Sequence, residues 1–324
     1  MLISVGWIVA GLILLVVGAE MLVRSGTRLA IQLGISPVII GLTIVALGTS
    51  TPELAIGIDS VISGNGDLAI GNIAGTNVVN ILLILGLSAA ISPLALRPAT
   101  LWLDLPMIVV ASALLLVMAW DGSLTRTEGI VLVLVAFAYT AAIVQVARRE
   151  SYAVKASFAK GLPETPAPSD FRSTTAFNVI ILVVSIVILV VSADRLVTGA
   201  VDLARIWGVS DAFIGLTIVA IGTSAPELVT TIISTLKRER DIAIGNLLGS
   251  SVYNILFILG VTCTIPAETP VAQSLIDVDI PVMAAVAFVC IPIFVSGRKI
   301  SRVEGGLFVA AYVAYLSYLV VART

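Results

Sequence analysis

The chain contains no histidine, which removes the commonest zinc ligand and the commonest general base from a protein of 324 residues. Charge is scarce. Lys, Arg, Asp and Glu together make up 12% against 59% hydrophobic residues, where a soluble domain carries roughly a quarter charged. With a net charge of −2 and no basic tract, nothing in it grips nucleic acid. Cysteine is limited to Cys263 and Cys290, both inside apolar runs. Neither a disulfide framework nor a Cys/His metal centre is expected, and the two read as buried apolar thiols. The first ~20 residues lack the basic start and small-residue cleavage site of a leader, and read as a retained first helix.

What the chain has in quantity is apolar runs long enough to cross roughly 30 Å of hydrocarbon, which takes about 20 residues each. Ten such spans are predicted, near 2–22, 35–62, 68–92, 99–120, 128–147, 174–193, 211–236, 242–265, 277–297 and 302–322. The second and seventh are overlong, which allows tilt or an internal break. Residues 148–173, with the proline-rich stretch GLPETPAPSD, read as a linker between a first half, 1–147, and a second, 174–324. Loops after the odd-numbered spans hold 14 of the 18 basic residues, so both termini are expected outside and the linker in the cytoplasm. The expected setting is thus multi-pass in a lipid bilayer, the cytoplasmic membrane of a prokaryote. Trp102, Trp120 and Trp207 lie near span ends, where an interfacial belt would place them.

The two halves repeat. GLTIVALGTSTPEL at Gly41 recurs as GLTIVAIGTSAPEL at Gly215, an offset of 174, and the register holds without a gap from 41–87 to 215–261. Of those 47 positions, 27 are identical, polar ones included. The same offset pairs Glu20 with Asp194. A five-span unit has an odd number of crossings, so its second copy enters the membrane from the opposite side. Such inverted repeats place a binding site near the midplane where they meet.

Glu53 and Glu227 fall about halfway along the second and seventh spans, at a depth where a carboxylate is costly without a partner. No lysine or arginine lies at that depth, which leaves a bound cation or a proton as the compensating charge. Gly48 and Pro52, with Gly222 and Pro226, are expected to break the helix around Thr49, Ser50, Thr223 and Ser224 and to free carbonyls, those of Ala46 and Ala220. A second cluster follows on spans three and eight. Thr76 and Asn80, like Ser250 and Asn254, are four apart and project oxygens from one helix face. Gly71 and Gly75, like Gly245 and Gly249, share a face that permits close helix approach. All these donors are hard oxygens, a set that suits Ca2+ and Na+. Asp67 and Asp241 read as helix N-caps, Asp59 lies off the face of Glu53, and Glu20 and Asp194 read as interfacial.

GTS-x-PE followed by G-[TS]-x-x-x-x-N, present in both halves, resembles the alpha repeats of the sodium/calcium exchangers in the Ca2+/cation antiporter superfamily, in a compact prokaryotic form. The resemblance implies an all-α membrane protein of ten transmembrane helices, two inverted five-helix repeats with helices 2 and 7 broken. It also implies a core of spans 2, 3, 7 and 8, across which helices 1 and 6 slide. Ion ligands are implied at Thr49, Ser50, Glu53, Thr76, Asn80, Thr223, Ser224, Glu227, Ser250 and Asn254. Relatives often carry an aspartate where this chain has Asn254, which leaves two formal negative charges here and puts a three-to-one exchange in question.

The expected function is therefore antiport of Na+ against Ca2+ by alternating access, with those two ions as substrates, no cofactor and no obligatory protein partner. Alternatives are a Ca2+(cation)/H+ antiporter with Glu53 and Glu227 as proton carriers, or a cation channel. An intramembrane enzyme would need an activated nucleophile or a bound metal, and the chain is not expected to be one.

Overall fold

The computed structural model describes residues 1–96, 100–158, 175–208 and 220–323, and these are almost entirely helical. The helices are α1 (Leu2–Leu33), α2 in two parts (α2a, Pro37–Thr49; α2b, Thr51–Ile62), α3 (Gly66–Ile91), α4 (Thr100–Asp121) and α5 (Arg126–Phe158). They continue as α6 (Thr175–Ile206), α7 in two parts (α7a, Ala220–Thr223; α7b, Ala225–Leu236), α8 (Arg240–Thr264), α9 (Leu275–Gly297) and α10 (Arg302–Arg323). Among the described residues, eight helices are long and apolar enough to cross a membrane, nine when the bent pair α2a and α2b is one span. The expected span at 211–236 begins outside the described residues, so only its latter part, α7, is seen.

Several boundaries differ from the sequence expectation. α1 runs to Leu33 and α6 to Ile206, each well past the predicted end. Hydropathy falls at Glu20, Arg24 and Asp194, but an exposed helical surface accepts such residues, and Arg24 bonds Glu20 one turn away. α5 continues to Phe158, through the first part of the predicted linker, and 159–174 lie outside the described residues. Asp67 is not an N-cap. Asn65 holds that position, and the Asp67 carboxylate instead accepts from the Ala272 backbone N–H in the segment before α9. Glu239, not Asp241, precedes α8.

Short strand pairs tie the loops into two groups. β1 (Leu94–Ala95), after α3, pairs antiparallel with β4 (Lys299–Ile300), after α9. β2 (Ser123–Thr125), after α4, pairs with β3 (Glu268–Pro270), after α8. Asp67 at the start of α3 joins the latter group through Ala272, while Lys237 after α7 joins Glu20 of α1 at 2.8 Å. Loops of even and odd position are thereby separated, as a chain that alternately crosses a bilayer requires. β2 and β4 each lead into a helix through a capping box: Glu128 accepts from the Thr125 backbone N–H at 2.7 Å, and Glu304 from that of Ser301 at 2.7 Å. Trp102, Trp120 and Trp207 are 83%, 76% and 70% exposed at their helix ends, in agreement with an interfacial belt.

α8 and α3 form the centre. Their apolar windows are 94% and 72% buried, against 22–44% for the other long helices, which spend the rest of their surface on lipid. Cys263 and Cys290 are free and buried in this region. The larger apolar core gathers α3, α4, α5, α8, α9 and α10, with α2a packed against α8. A smaller, separate core joins α1 and α6 to the broken helices. α1 and α6 cross so closely that a Cβ on Gly199 would stand 2.6 Å from the Ser4 carbonyl oxygen.

Candidate cation site

The break in α2 follows from its sequence. Pro52 has no N–H to give the carbonyl four residues earlier, that of Gly48, and its ring crowds the preceding turn. The Thr51 hydroxyl takes over, donating to the Gly48 oxygen at 2.8 Å. Ser50 leaves helical geometry at φ −84° and ψ 13°, and the two halves meet at 41°. α7 breaks in the same way: Ser224 sits at φ −84° and ψ 8°, with Pro226 in the first turn of α7b. Each break therefore starts a new helix two residues ahead of its glutamate. Glu53 and Glu227 lie in the first turns of α2b and α7b, where the positive end of the helix dipole favours a negative charge.

The freed carbonyl is that of Gly48, not Ala46 as expected, because proline disables the acceptor four residues before it. Ala46 accepts from the Ser50 backbone N–H at 3.1 Å, and the hydroxyls of Thr49 and Ser250 approach the same oxygen at 3.3 and 3.4 Å. Ala220 opens α7a, and its side chain lies outside the described residues.

Both glutamates are fully buried, as are Thr49, Ser50, Asn80, Ser250 and Asn254; Thr76, Thr223 and Ser224 are buried to within 6% or less of full enclosure. The broken helices and α8 come together. The Ser50 hydroxyl of α2 donates to Glu227 Oε1 of α7b at 3.0 Å, a contact between the two halves. Thr49 donates to Asn246 Oδ1 of α8 at 3.1 Å, and Asn246 donates in turn to Thr231 at 3.3 Å. Ser50 stands at the start of α2b, three residues before Glu53, so its bond brings Glu227 to the end of the helix that carries Glu53. α2a approaches α8 this closely because Gly245 has no side chain: a Cβ there would stand 2.6 Å from the Val38 carbonyl oxygen. A Cβ on Gly249 would meet the Leu42 carbonyl at 2.7 Å, so this glycine pair acts as its spacing implies. The segment that would face Gly71 and Gly75 by the same repeat lies outside the described residues.

Asn80 and Asn254 each lie in a wide, π-helical turn, within Val79–Leu85 of α3 and Asn254–Leu259 of α8. Such turns insert one extra residue into a helix, re-aim its side chains, and recur at functional sites. The atoms without a hydrogen-bond partner concentrate here. Both oxygens of Glu53, Glu227 Oε2, both polar atoms of the Asn80 amide and Asn254 Oδ1 are buried and unbonded. Protein interiors leave few such atoms, and an unbonded buried carboxylate is among the costliest. Among the described residues the ion pairs join Glu20 to Arg24 and Lys237, and Asp194 to Arg195; none reaches Glu53 or Glu227. A cage of unbonded anionic and amide oxygens, without a protein cation, is chemically suited to a small metal cation taken as cargo.

Two of the polar groups here were missed by sequence reasoning. Asn246 is the asparagine of the GN pair that recurs in both halves, with Asn72 as its counterpart, so the repeat carried the signal. Asn77 was concealed because its counterpart is Ser251. Two other acids weighed from the sequence lie at the surface: Glu20 pairs with Lys237, and Asp59 is exposed.

Known proteins resemble this chain along nearly its whole length. A family model described as sodium/calcium exchanger protein matches the chain twice, over residues 3–145 and 177–321. The inner membrane protein YrbG of Escherichia coli is 35% identical over 291 residues, 89% of this chain and 88% of its own. The sodium/calcium exchanger MaX1 of Methanosarcina acetivorans is 31% identical over 339 residues, 95% of this chain and 96% of its own. A solved structure of the sodium-calcium exchanger NCX_Mj, soaked with Na+ and Sr2+, superposes with a TM-score of 0.82 at 28% identity, covering 98% of both chains.

Proposed function

Because this chain belongs to the sodium/calcium exchanger family, we propose that it is a multi-pass antiporter that moves Ca2+ against Na+ through one shared site. The supporting observation is the set of unbonded, fully buried oxygens on Glu53, Glu227, Asn80 and Asn254, gathered from both halves around two broken helices. Ca2+ draws most from both carboxylates at once. Na+ can spread over the hydroxyl oxygens of Thr49, Ser50, Thr76, Thr223, Ser224 and Ser250. Ions that compete for one cage cannot cross together, and the empty, doubly charged cage resists crossing an apolar barrier. Coupling follows from that exclusion.

The site lies between two inverted five-helix units, a reading supported by features that recur at a near-constant offset. β1 pairs with β4 as β2 pairs with β3, and Tyr139 donates to Asp104 at 2.9 Å as Tyr315 donates to Asp279 at 2.7 Å. Both termini then face outward and the basic loops face the cytoplasm of a prokaryotic cell. α1 and α6, packed along each other and touching the broken helices through a core separate from the larger one, form the body that moves across the site to alternate its access. Ca2+ uptake into proteoliposomes tests the coupling: an outward Na+ gradient at equal pH should drive it. Uptake driven by a pH gradient alone, and indifferent to Na+, would replace Na+ by protons.

A further inference from the structure

The cage contains an amide, Asn254, and an amide can present either oxygen or N–H2 to a cation. Only the oxygen binds. What decides between them lies behind it, in a chain of three groups that crosses from α8 to α3 and back. The Ser251 backbone carbonyl is an acceptor only, and the Asn77 Nδ2 donates to it at 3.2 Å. That bond fixes the Asn77 amide, with its Oδ1 turned the other way. Asn77 Oδ1 can then only accept, and it does so from Asn254 Nδ2 at 3.3 Å. Asn254 Oδ1 is left over, buried and unbonded, on the turn of α8 that packs against α2b, the helix of Glu53. Asn77 is itself 2% exposed, so water does not compete for its amide, and its Nδ2 also lies 3.6 Å from the Met283 sulfur, another acceptor.

We propose that Asn77 is a positioning residue that locks the Asn254 amide with its oxygen toward the cation, and that the same lock selects against a carboxylate at position 254. The first part follows from the order of donors and acceptors. The second follows from replacing a donor by an acceptor: an ionised aspartate at 254 would set oxygen against Asn77 Oδ1. Turning Asn77 over to meet it would set the same oxygen against the Ser251 carbonyl. Either arrangement leaves a repulsive buried pair. The cage thus keeps two formal charges because its support is built for a neutral ligand. The inference rests on the cation-site reading above.

The test is Na+-gradient-driven Ca2+ uptake by the full-length protein in proteoliposomes, read as the half-saturating Ca2+ concentration and the maximal rate. Asn77→Ala should raise half-saturation about tenfold, the worth of a hydrogen bond that orients a ligand, with the maximal rate within about twofold. In an Asn254→Ala background the same change should add nothing. Asn254→Asp alone should weaken Ca2+, although its added negative charge would otherwise tighten it, and Asn77→Ala added to it should restore affinity. Should Asn77→Ala fail to fold, Asn77→Ser carries the same comparisons, since Ser251 shows that the equivalent helical position accepts serine. Unchanged half-saturation in the position-77 variant, an equal effect with and without Asn254, or tighter Ca2+ in Asn254→Asp alone would each overturn the proposal. Glu53→Gln and Glu227→Gln are assayed beside them. Native half-saturation in either would instead overturn the cation site itself, whatever Asn77 does.

Discussion

At the scale of single residues, the two glutamates are alike in sequence and unlike in surroundings. Glu227 receives the Ser50 hydroxyl, whereas neither oxygen of Glu53 is bonded. An amide at either position keeps the shape and removes the charge. Leaving the partner ion short of one buried charge typically costs 2 kcal/mol or more, so Glu53→Gln and Glu227→Gln should each cut Ca2+ uptake at least ~30-fold. Thermal unfolding in Ca2+-free detergent should show both variants as stable as the parent or more so, because a neutral amide is easier to bury than an unpaired carboxylate. Ser50→Ala should act more mildly: it withdraws a donor from Glu227, and a several-fold shift in half-saturating Ca2+ is expected from one lost hydrogen bond to a charged group.

The broken helices were legible at the scale of elements because glycine and proline act locally. GTSTPE and GTSAPE both announce a chain that stops and restarts, and Ser50 and Ser224 are where it does so. The exact carbonyl released was misplaced, since that depends on counting four residues back from Pro52. Helix ends were less legible. Hydropathy reports where the hydrocarbon ends, and α1 and α6 continue as helices beyond it. The wide turns at Asn80 and Asn254 were invisible, because one extra residue per turn barely alters a pattern that is apolar on every face. Close approach of α2a to α8 was readable from the glycine spacing and carries its own test. Gly245→Ala should lower the stability of the purified protein by about 1–3 kcal/mol, as overpacking does, seen as earlier thermal unfolding. Gly6→Ala, on an exposed stretch with nothing within 4 Å, should be neutral or slightly stabilising. Equal melting of the two variants would mean that the α2a–α8 contact is looser than described.

For the whole molecule, the repeat and the parity of its charges were read from sequence, and the strand pairs and cross-loop bonds group the loops in the same two sets. The segment that would complete α7 lies outside the described residues, as does most of the linker. Charge balance reaches furthest at this scale. Two carboxylates are neutralised by one Ca2+ or by two Na+, and with Asn254 in the cage no third carboxylate remains to compensate a third Na+. Exchange should therefore be electroneutral: clamping the membrane potential at either sign should leave Na+-driven Ca2+ uptake unchanged. A rate that follows the potential would require a further Na+ held by neutral oxygens alone.

The central claim is that two buried acids from opposite halves form one cage that Ca2+ and Na+ occupy in turn. Calorimetric titration of Ca2+ into the purified full-length protein, at a series of Na+ concentrations, tests it most directly. One Ca2+ per chain is predicted, with an apparent Kd that climbs steadily as Na+ is raised and with binding abolished in the Glu53→Gln/Glu227→Gln double variant. Ca2+ bound at native affinity by that double variant, or a Kd indifferent to Na+, would contradict it.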